Sequence, residues 1–254
     1  MLFYFTGTGN SLYVARQIEE KPISIPQVLH QESLHFKDEK IGIVYPVYAG
    51  EAPQIVLEFL EKAIFETDYF YLILTYGKDV TDAPECIARL LEEKGKHVNY
   101  IHAILMVDNY LPSFDMNEQM AMNKNVEEQI QQAIQDIQNK KEEIPEATQA
   151  GRDFHASAKE IFAKNPELIN GEQITVTDKC LGCSICTKVC PRGLFYIENQ
   201  KAKRKQNTCE FCLACAHNCP AKAIITQFKD VNPDARYRHP GVSLRDIIHA
   251  NQQV

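Results

Sequence analysis

Eight of the nine cysteines of this chain fall in two short runs that share one spacing. The first run holds Cys180, Cys183, Cys186 and Cys190, and the second holds Cys209, Cys212, Cys215 and Cys219. Both runs read Cys-x2-Cys-x2-Cys-x3-Cys, and a proline follows each of them. Three thiolates at this spacing can surround one side of an iron–sulfur cubane, in which every iron takes one external sulfur. The two runs therefore predict two [4Fe–4S] clusters.

The fourth cysteine of such a run usually binds the cluster of the other run. We therefore predict a cluster 1 set of Cys180, Cys183, Cys186 and Cys219, and a cluster 2 set of Cys209, Cys212, Cys215 and Cys190. Zinc is the alternative, because two four-cysteine zinc sites would also use eight thiolates. Zinc needs only pairs of cysteines, however, and leaves the fixed spacing of the third and fourth cysteine of each run unexplained.

The segment that carries these cysteines resembles a bacterial-type ferredoxin domain with two [4Fe–4S] clusters, and it matches all eight ligands. The resemblance implies a small α+β domain that transfers single electrons at low potential between closely spaced clusters. Small residues between the ligands, such as Gly182, Ser184 and Ala214, would let backbone N–H groups reach the sulfurs and tune the potential.

A short polar loop follows the first predicted strand and opens a helix. It consists of Thr6, Gly7, Thr8, Gly9, Asn10 and Ser11. Such a turn can aim backbone N–H groups and hydroxyls at a phosphate, helped by the helix N-terminus. The loop contains no lysine or arginine, which disfavours a triphosphate site, and its glycine pattern is not that of a dinucleotide-binding turn. A tight strand-to-helix turn with an N-cap is the alternative.

This loop resembles the FMN-phosphate loop of flavodoxins, Thr-x-Thr-Gly-x-Thr, with Ser11 at the final position. The resemblance implies FMN bound at the carboxyl ends of the strands, with the isoalloxazine ring held by two further loops. The candidate ring contacts are Pro46, Val47, Tyr48, Ala49 and Gly50 in one loop and Thr75, Tyr76 and Gly77 in the other. Tyr48 or Tyr76 would stack on the flavin, although ordinary packing explains either tyrosine equally well.

The first 110 residues alternate apolar runs with amphipathic stretches, which is the pattern of a βα sheet protein. We predict strands at Leu2–Phe5, Ile23–Ile25, Ile41–Val47, Phe70–Thr75 and Tyr100–Val107, and helices at Asn10–Glu20, Pro53–Phe65 and Ala83–Gly95. Several strands are almost continuously apolar, as expected where helices cover both faces of a parallel sheet. The expected fold is a flavodoxin-like, doubly wound α/β domain with five parallel strands, joined to the small ferredoxin domain.

Helical spacing of apolar residues predicts one long helix at Asn117–Lys141, and Gly151–Asn165 is a further helix or a connector. Composition changes near Gly171. We expect a flavodoxin-like domain at 1–171, with a helical connector at about 143–171, a ferredoxin domain at 172–230 and a tail at 231–254. The tail ends in a short helix, because Ser243 and Asp246 have capping-box spacing.

Charge is distributed unevenly along the chain. Residues 1–171 contain 15 Lys and Arg against 27 Asp and Glu, whereas residues 172–254 contain 12 against 7. A basic C-terminal part can indicate nucleic-acid binding. Two oxidised clusters would add about −2 each and bring this part close to neutral, so we expect no nucleic-acid partner. No apolar run is long enough for a membrane span. We expect no signal peptide before the first strand, and we expect the protein in the cytoplasm.

Cys86 stands apart from the two runs, and we expect it to be a buried structural thiol. The eight histidines show no ligand spacing, and the sequence contains no recognisable catalytic constellation.

Over most of its length the chain resembles the fused flavodoxin-like and ferredoxin proteins that are common in anaerobic microbes. We therefore expect a relay in which FMN and two [4Fe–4S] clusters exchange electrons with an external redox protein or a small-molecule donor or acceptor. The alternative is an FMN-dependent reductase of a small organic acceptor such as a quinone, fed by the clusters. A non-catalytic redox sensor is a third possibility, and the lack of a recognisable DNA-binding or signalling segment argues against it.

Overall fold

The computed structural model describes residues 1–205 and 208–252. The strands in the described part are β1 (Leu2–Tyr4), β2 (Ile23–Ser24), β3 (His35–Lys37), β4 (Lys40–Pro46), β5 (Ile64–Glu66), β6 (Tyr69–Tyr76), β7 (Tyr100–Leu105), β8 (Ile174–Val176), β9 (Phe195–Glu198), β10 (Lys201–Arg204) and β11 (Ile224–Thr226). The α-helices are α1 (Asn10–Ile18), α2 (Ile25–Val28), α3 (Gln54–Lys62), α4 (Ala83–Glu93), α5 (Met116–Ala121), α6 (Val126–Gln138), α7 (Gln149–Lys164), α8 (Ile185–Val189), α9 (Ala214–His217) and α10 (Leu244–Asn251).

Five parallel strands form the central sheet in the order β2-β1-β4-β6-β7. The longest pairing joins β4 to β6, from Lys40 opposite Tyr69 to Pro46 opposite Thr75. The interior residues of both strands are buried. Such continuous burial requires apolar side chains on both faces, which is why these strands lack the alternation of a half-exposed strand. The predicted α/β fold with a five-stranded parallel sheet is confirmed.

The predicted long helix at Asn117–Lys141 is wrong, because the structure divides this segment into α5 and α6. The chain leaves the helical path before Asn125, whose φ is 49°. Asn123 Oδ1 accepts a hydrogen bond from the Asn125 backbone N–H, 3.0 Å away. Asparagine side chains compete in this way with helical hydrogen bonds. Lys124 turns inward and donates to the carbonyl oxygens of Gly77 and Met106.

Two short strands were not predicted in the first domain. Helix α3 ends at Lys62, whereas the sequence predicted a helix to Phe65, and the following residues form β5. Strand β5 pairs in parallel with β3 to make a separate two-stranded sheet. Each of these strands has three residues, too few to show a clear period in the sequence.

The cysteine-rich segment folds into two short antiparallel ladders and two short helices. Strand β9 pairs with β10, and β8 pairs with β11. Helices α8 and α9 each follow the second cysteine of a run. Residues of these elements form a second hydrophobic core beside that of the α/β sheet, and six of the eight cysteines of the runs are among them or packed against them.

The C-terminal tail packs on the α/β unit. The predicted capping box is present at the start of α10, where Ser243 Oγ accepts from Asp246 N and the Asp246 carboxylate accepts from Ser243 N. Arg16 on α1 donates to Asp246 Oδ1 at 2.6 Å, and this hydrogen bond is the main reason why the pKa of Asp246 lies well below its usual range. Asn251, at the other end of α10, donates to the Thr6 carbonyl oxygen.

Among the described residues, none of the helices is long and apolar enough to cross a bilayer.

Candidate cluster sites and the phosphate loop

The two cysteine sets line two separate cavities. Cys180, Cys183, Cys186 and Cys219 line one cavity, and Cys190, Cys209, Cys212 and Cys215 line the second. Each cavity thus draws three cysteines from one run and the fourth from the other. This is the grouping that the spacing predicts for a dicluster protein.

The short helices bring the runs together. Helices α8 and α9 lie against each other. The fourth cysteine of each run therefore lies beside the first three cysteines of the other run. The chain follows the same path in both runs: the residues on either side of the second cysteine have positive φ. They are Gly182 (67°) and Ser184 (64°) in the first run, and Phe211 (49°) and Leu213 (55°) in the second. Because phenylalanine and leucine rarely adopt this conformation, the turn around the second cysteine is fixed by the packing around it rather than by local preference.

Backbone N–H groups donate to cysteine sulfurs in both cavities. In the cluster 1 set, Ala202 N lies 3.3 Å from Cys180 Sγ and Ala223 N lies 3.2 Å from Cys219 Sγ. In the cluster 2 set, Leu194 N lies 3.4 Å from Cys190 Sγ. Hydrogen bonds of this kind stabilise thiolate charge and raise the reduction potential of a cluster. Cys190 and Cys219 each accept from the residue four positions later, which shows that the two runs repeat in structure as well as in sequence.

The two cysteine sets differ in their most exposed member. In the cluster 1 set, Cys183 is exposed, and the neighbouring Leu181 has 72 % of its surface accessible. In the cluster 2 set, Cys212 and Cys215 are each only 7 % accessible. Burial raises the pKa of both thiols well above the ordinary value. Cys183, in the cluster 1 set, is therefore the one exposed cysteine of the two runs.

An arginine links the cluster 2 cavity to the α/β unit. Arg192 donates through both terminal nitrogens to the Glu58 carboxylate on α3, at 2.8 and 2.9 Å, and through Nε to Glu210 Oε1 at 2.6 Å. The other oxygen of Glu210 accepts from Ile55 N at the start of α3. The Glu210 side chain is only 1 % accessible, and burial raises its pKa. The sequence did not indicate this network, because its partners are far apart in the chain.

The loop predicted to bind the FMN phosphate is buried, and its groups contact the chain itself. Thr6, Thr8, Asn10 and Ser11 are all less than 9 % accessible. Asn109 Nδ2 donates to Thr8 Oγ1 and the Tyr237 hydroxyl donates to Asn10 Oδ1, each at 2.6 Å.

Further groups of this loop have partners within the chain. Gly9 N donates to Thr6 Oγ1 at 3.0 Å, and the Ser11 hydroxyl lies 2.8 Å from that of Thr75. His239 N donates to the Thr8 carbonyl oxygen.

Two glycines of the loop contact the C-terminal half of the chain. A Cβ placed on Gly7 would lie 2.8 Å from the Cys212 carbonyl oxygen, and one on Gly9 would lie 3.1 Å from side-chain atoms of His239 and Val242. Glycine is therefore needed here so that the second cysteine run and the tail can approach the loop. The residues of this loop do not fit an FMN phosphate in the described conformation, because other parts of the chain cover them.

The loops predicted to hold the isoalloxazine ring are also occupied by neighbouring side chains. A Cβ on Gly50 would lie 2.7 Å from the His155 ring, and one on Gly77 would lie 2.3 Å from Asp108 Oδ2. The Tyr48 hydroxyl lies beside Gly7, and burial raises its pKa well above the ordinary value. The two glycines permit a close approach, and the groups that approach belong to the protein.

Comparison with known proteins identifies the cysteine-rich segment. The model of a 4Fe-4S dicluster domain matches residues 179–224. A ferredoxin of Methanothermococcus thermolithotrophicus is 40% identical over 53 residues, which are 20% of this chain and 88% of the relative. An uncharacterized ferredoxin of Methanocaldococcus jannaschii is 36% identical over 58 residues, which are 21% of this chain and 75% of the relative.

A third relative is much longer than the matched segment. It is one subunit of an ion-translocating oxidoreductase complex of Methanosarcina acetivorans, 42% identical over 45 residues, which are 18% of this chain and 17% of the relative. No solved structure matches the chain. The predicted iron–sulfur domain is thus confirmed, and through this 4Fe-4S dicluster domain the chain belongs to the ferredoxin family.

Proposed function

We propose that this protein is a one-electron carrier that passes electrons between two [4Fe–4S] clusters and exchanges them with an external redox partner at the cluster 1 end. Cluster 1 is held by Cys180, Cys183, Cys186 and Cys219, and cluster 2 by Cys209, Cys212, Cys215 and Cys190. The observation that carries the proposal is the exposure of Cys183 in the cluster 1 set, which interleaves with the cluster 2 set around two cavities.

An external partner can approach Cys183, the one exposed cysteine of the two runs, at the cluster 1 cavity. Its rim includes Leu181, which is 72 % accessible, and Ile197, which is 37 % accessible, and both line the cavity. Exposed apolar side chains beside a functional group favour a transient contact with another protein. Cluster 2 then acts as the inner site, which exchanges electrons with cluster 1 through the shared cysteine runs.

FMN is not part of this proposal. The relay to FMN that the loop predicts would need Thr6–Ser11 to turn its donors toward a phosphate, whereas these residues contact Asn109, Tyr237 and the second cysteine run. The alternative quinone-type reductase would need an open pocket over the flavin, and the close approach of His155 to Gly50 and of Asp108 to Gly77 does not favour one. The α/β unit instead packs against the second cysteine run, through Gly7 and Ile55.

The proposal is tested by placing a negative charge beside the cluster 1 cavity and, in a separate variant, on the α/β unit. The protein is purified without oxygen, reduced, and mixed at low ionic strength with an anionic or a cationic cobalt(III) complex as the one-electron oxidant. Leu181→Glu should slow oxidation by the anion and speed oxidation by the cation, because a charge acts within about 10 Å at 0.1 M salt. Ile64→Glu is the matched control, since Ile64 is 60 % accessible and lies in the α/β unit.

Two results would contradict the proposal. Equal effects of the two substitutions would show that electrons do not leave near Leu181. An iron content far from about eight atoms per chain would remove the two-cluster premise.

A further inference from the structure

Three potential metal ligands from distant parts of the sequence converge in the α/β unit, away from both cysteine runs. They are Asp82, which precedes α4, Cys86, the fourth residue of α4, and His155 on α7. The sequence indicated only a structural thiol at Cys86 and histidines without ligand spacing. The spacing could not show the cluster, because His155 lies 69 residues after Cys86 and is brought there by the packing of α7.

The three groups present their ligand atoms to one point. Cys86 Sγ lies 3.3 Å from Asp82 Oδ2 and 4.0 Å from His155 Nδ1. His155 Nδ1 also forms a hydrogen bond with Asp82 Oδ1. One ligand atom from each residue lies within 4.8 Å of the other two. Ligand atoms bonded to one zinc ion at about 2.0 to 2.3 Å have separations in this range.

The second nitrogen of the His155 ring is held by a carboxylate. Glu51 Oε1 lies 3.2 Å from His155 Nε2, and Lys159 Nζ lies 2.8 Å from the same oxygen. Histidine ligands of metals usually donate their other N–H to a carboxylate, which fixes the tautomer and the ring orientation. Here Nε2 faces Glu51, so Nδ1, which hydrogen-bonds to Asp82 Oδ1, is the nitrogen that would bind a metal after releasing its proton. His155 is only 2 % accessible, so the ring cannot easily turn away.

We propose that Asp82, Cys86 and His155 bind one zinc ion, with a fourth position left for water or an added ligand. A ligand set of one thiolate, one imidazole and one carboxylate suits zinc better than calcium or magnesium, which prefer oxygen ligands. Two anionic ligands and one neutral ligand balance the charge of the ion. The site shares no residue with either cluster cavity.

Its position in the fold agrees with a ligand site. Glu51 lies in the loop after β4, and Asp82 lies in the loop after β6. Both loops leave the carboxyl ends of neighbouring parallel strands, which is where open α/β sheets place their ligands. Thr81, beside Asp82, has a φ of 55°, and Ala49, close to Glu51, has a φ of 52°. Left-handed residues other than glycine are often found at functional sites, where packing maintains them.

Without a metal, the same three residues form a hydrogen-bonded cluster, in which Asp82 accepts from the thiol and from the imidazole. The experiment must separate these two states. The full chain with both clusters in place is incubated with zinc chloride, passed through a desalting column and analysed for zinc and iron. We expect one retained zinc ion per chain.

X-ray absorption at the zinc edge then identifies the ligands, because the fine structure above this edge reports only the neighbours of zinc. We expect one sulfur at about 2.3 Å and the remaining ligands as nitrogen or oxygen at about 2.0 to 2.2 Å. Four sulfur neighbours would overturn the proposal, because they would place the zinc among the cysteines of a cluster site.

Substitutions provide the second readout. Cys86→Ala and His155→Gln should abolish zinc retention, and Glu51→Gln should weaken zinc affinity about 10- to 100-fold by releasing the His155 ring. His97→Gln is the control, because its side chain is 72 % accessible and lies outside the site. The iron content of each variant reports whether it folds. Zinc retention that is absent in the wild type, or unchanged in a folded Cys86→Ala protein, would overturn the proposal.

Discussion

Gly7 is the residue at which the α/β unit meets the second cysteine run. The nearest neighbour of a Cβ at this position would be a backbone atom, the Cys212 carbonyl oxygen at 2.8 Å, which cannot rotate away. We expect Gly7→Ala to push the cysteine run off the loop, at a cost of about 1 to 3 kcal/mol, which is typical of overpacking. Iron should be lost to a chelator faster than from the wild type.

Gly95→Ala is the control for this substitution, because a Cβ at Gly95 would meet nothing within 4 Å. Its φ of 72° adds only the cost of a left-handed alanine, about 1 kcal/mol. Equal rates of iron loss from Gly7→Ala and the wild type would show that the close contact is not needed to retain the cluster.

At this scale the sequence identified the residues whose chemistry depends on local spacing. The eight cysteines could be grouped into two sets because each set is determined by one repeated motif. Arg192, Glu210 and Tyr237 could not be identified, because their partners are set by how distant segments pack. The Thr6–Ser11 loop shows most clearly that residue types alone do not identify the partner of a side chain. Its residue types suit a phosphate, but the same hydroxyl and amide groups also suit Asn109 and Tyr237.

At the scale of elements, α3 and the cysteine-rich segment are joined by the ion pairs of Arg192. Removing Arg192 leaves Glu210 buried and without its cation, whereas removing Glu58 leaves an arginine that still contacts Glu210. Loss of one partner of a buried pair costs about 3 to 5 kcal/mol, and loss of a more exposed partner costs about 1 kcal/mol or less. We therefore expect Arg192→Gln to lose its clusters in denaturant much faster than Glu58→Gln.

The effect of Arg192→Gln should depend on pH. Burial raises the pKa of Glu210, and Arg192 lowers it, so the variant should have a still higher value. A carboxyl whose pKa is raised in the folded state favours folding at low pH and loses that contribution as pH rises through the raised pKa. The defect should therefore grow as pH rises, measured as the rate of cluster loss without oxygen. A defect that is independent of pH would exclude Glu210 as its cause.

The prediction of strands and helices was accurate where burial produces a strong sequence pattern. Strands β4 and β6 are long and apolar throughout, so both were predicted to within about two residues, the usual uncertainty of element ends. The break between α5 and α6 was missed because apolar residues continue at helical spacing across it. Asn123 and Asn125 were the available signal, since asparagine tolerates the left-handed conformation and bonds to nearby backbone.

At the scale of the whole molecule, the tail and the second cysteine run together cover the loop that resembles a flavodoxin phosphate site. Tyr237 from the tail donates to Asn10, and Val242 lies against Gly9. FMN could bind there only in a conformation in which these contacts are broken. The observed affinity would then be the intrinsic affinity reduced by the fraction of molecules that are open.

Whether FMN binds to the loop can be tested in the intact chain. The oxygen-free protein is dialysed against FMN, and against riboflavin as the control that lacks the phosphate. We expect no stoichiometric FMN in the wild type, and none in Tyr237→Phe, because Asn109, Cys212 and the rest of the tail still cover the loop. Binding of FMN but not riboflavin, tightened by Tyr237→Phe and weakened by Ser11→Ala, would contradict this expectation. It would show that the tail opens, and that the loop then binds phosphate as its sequence predicts.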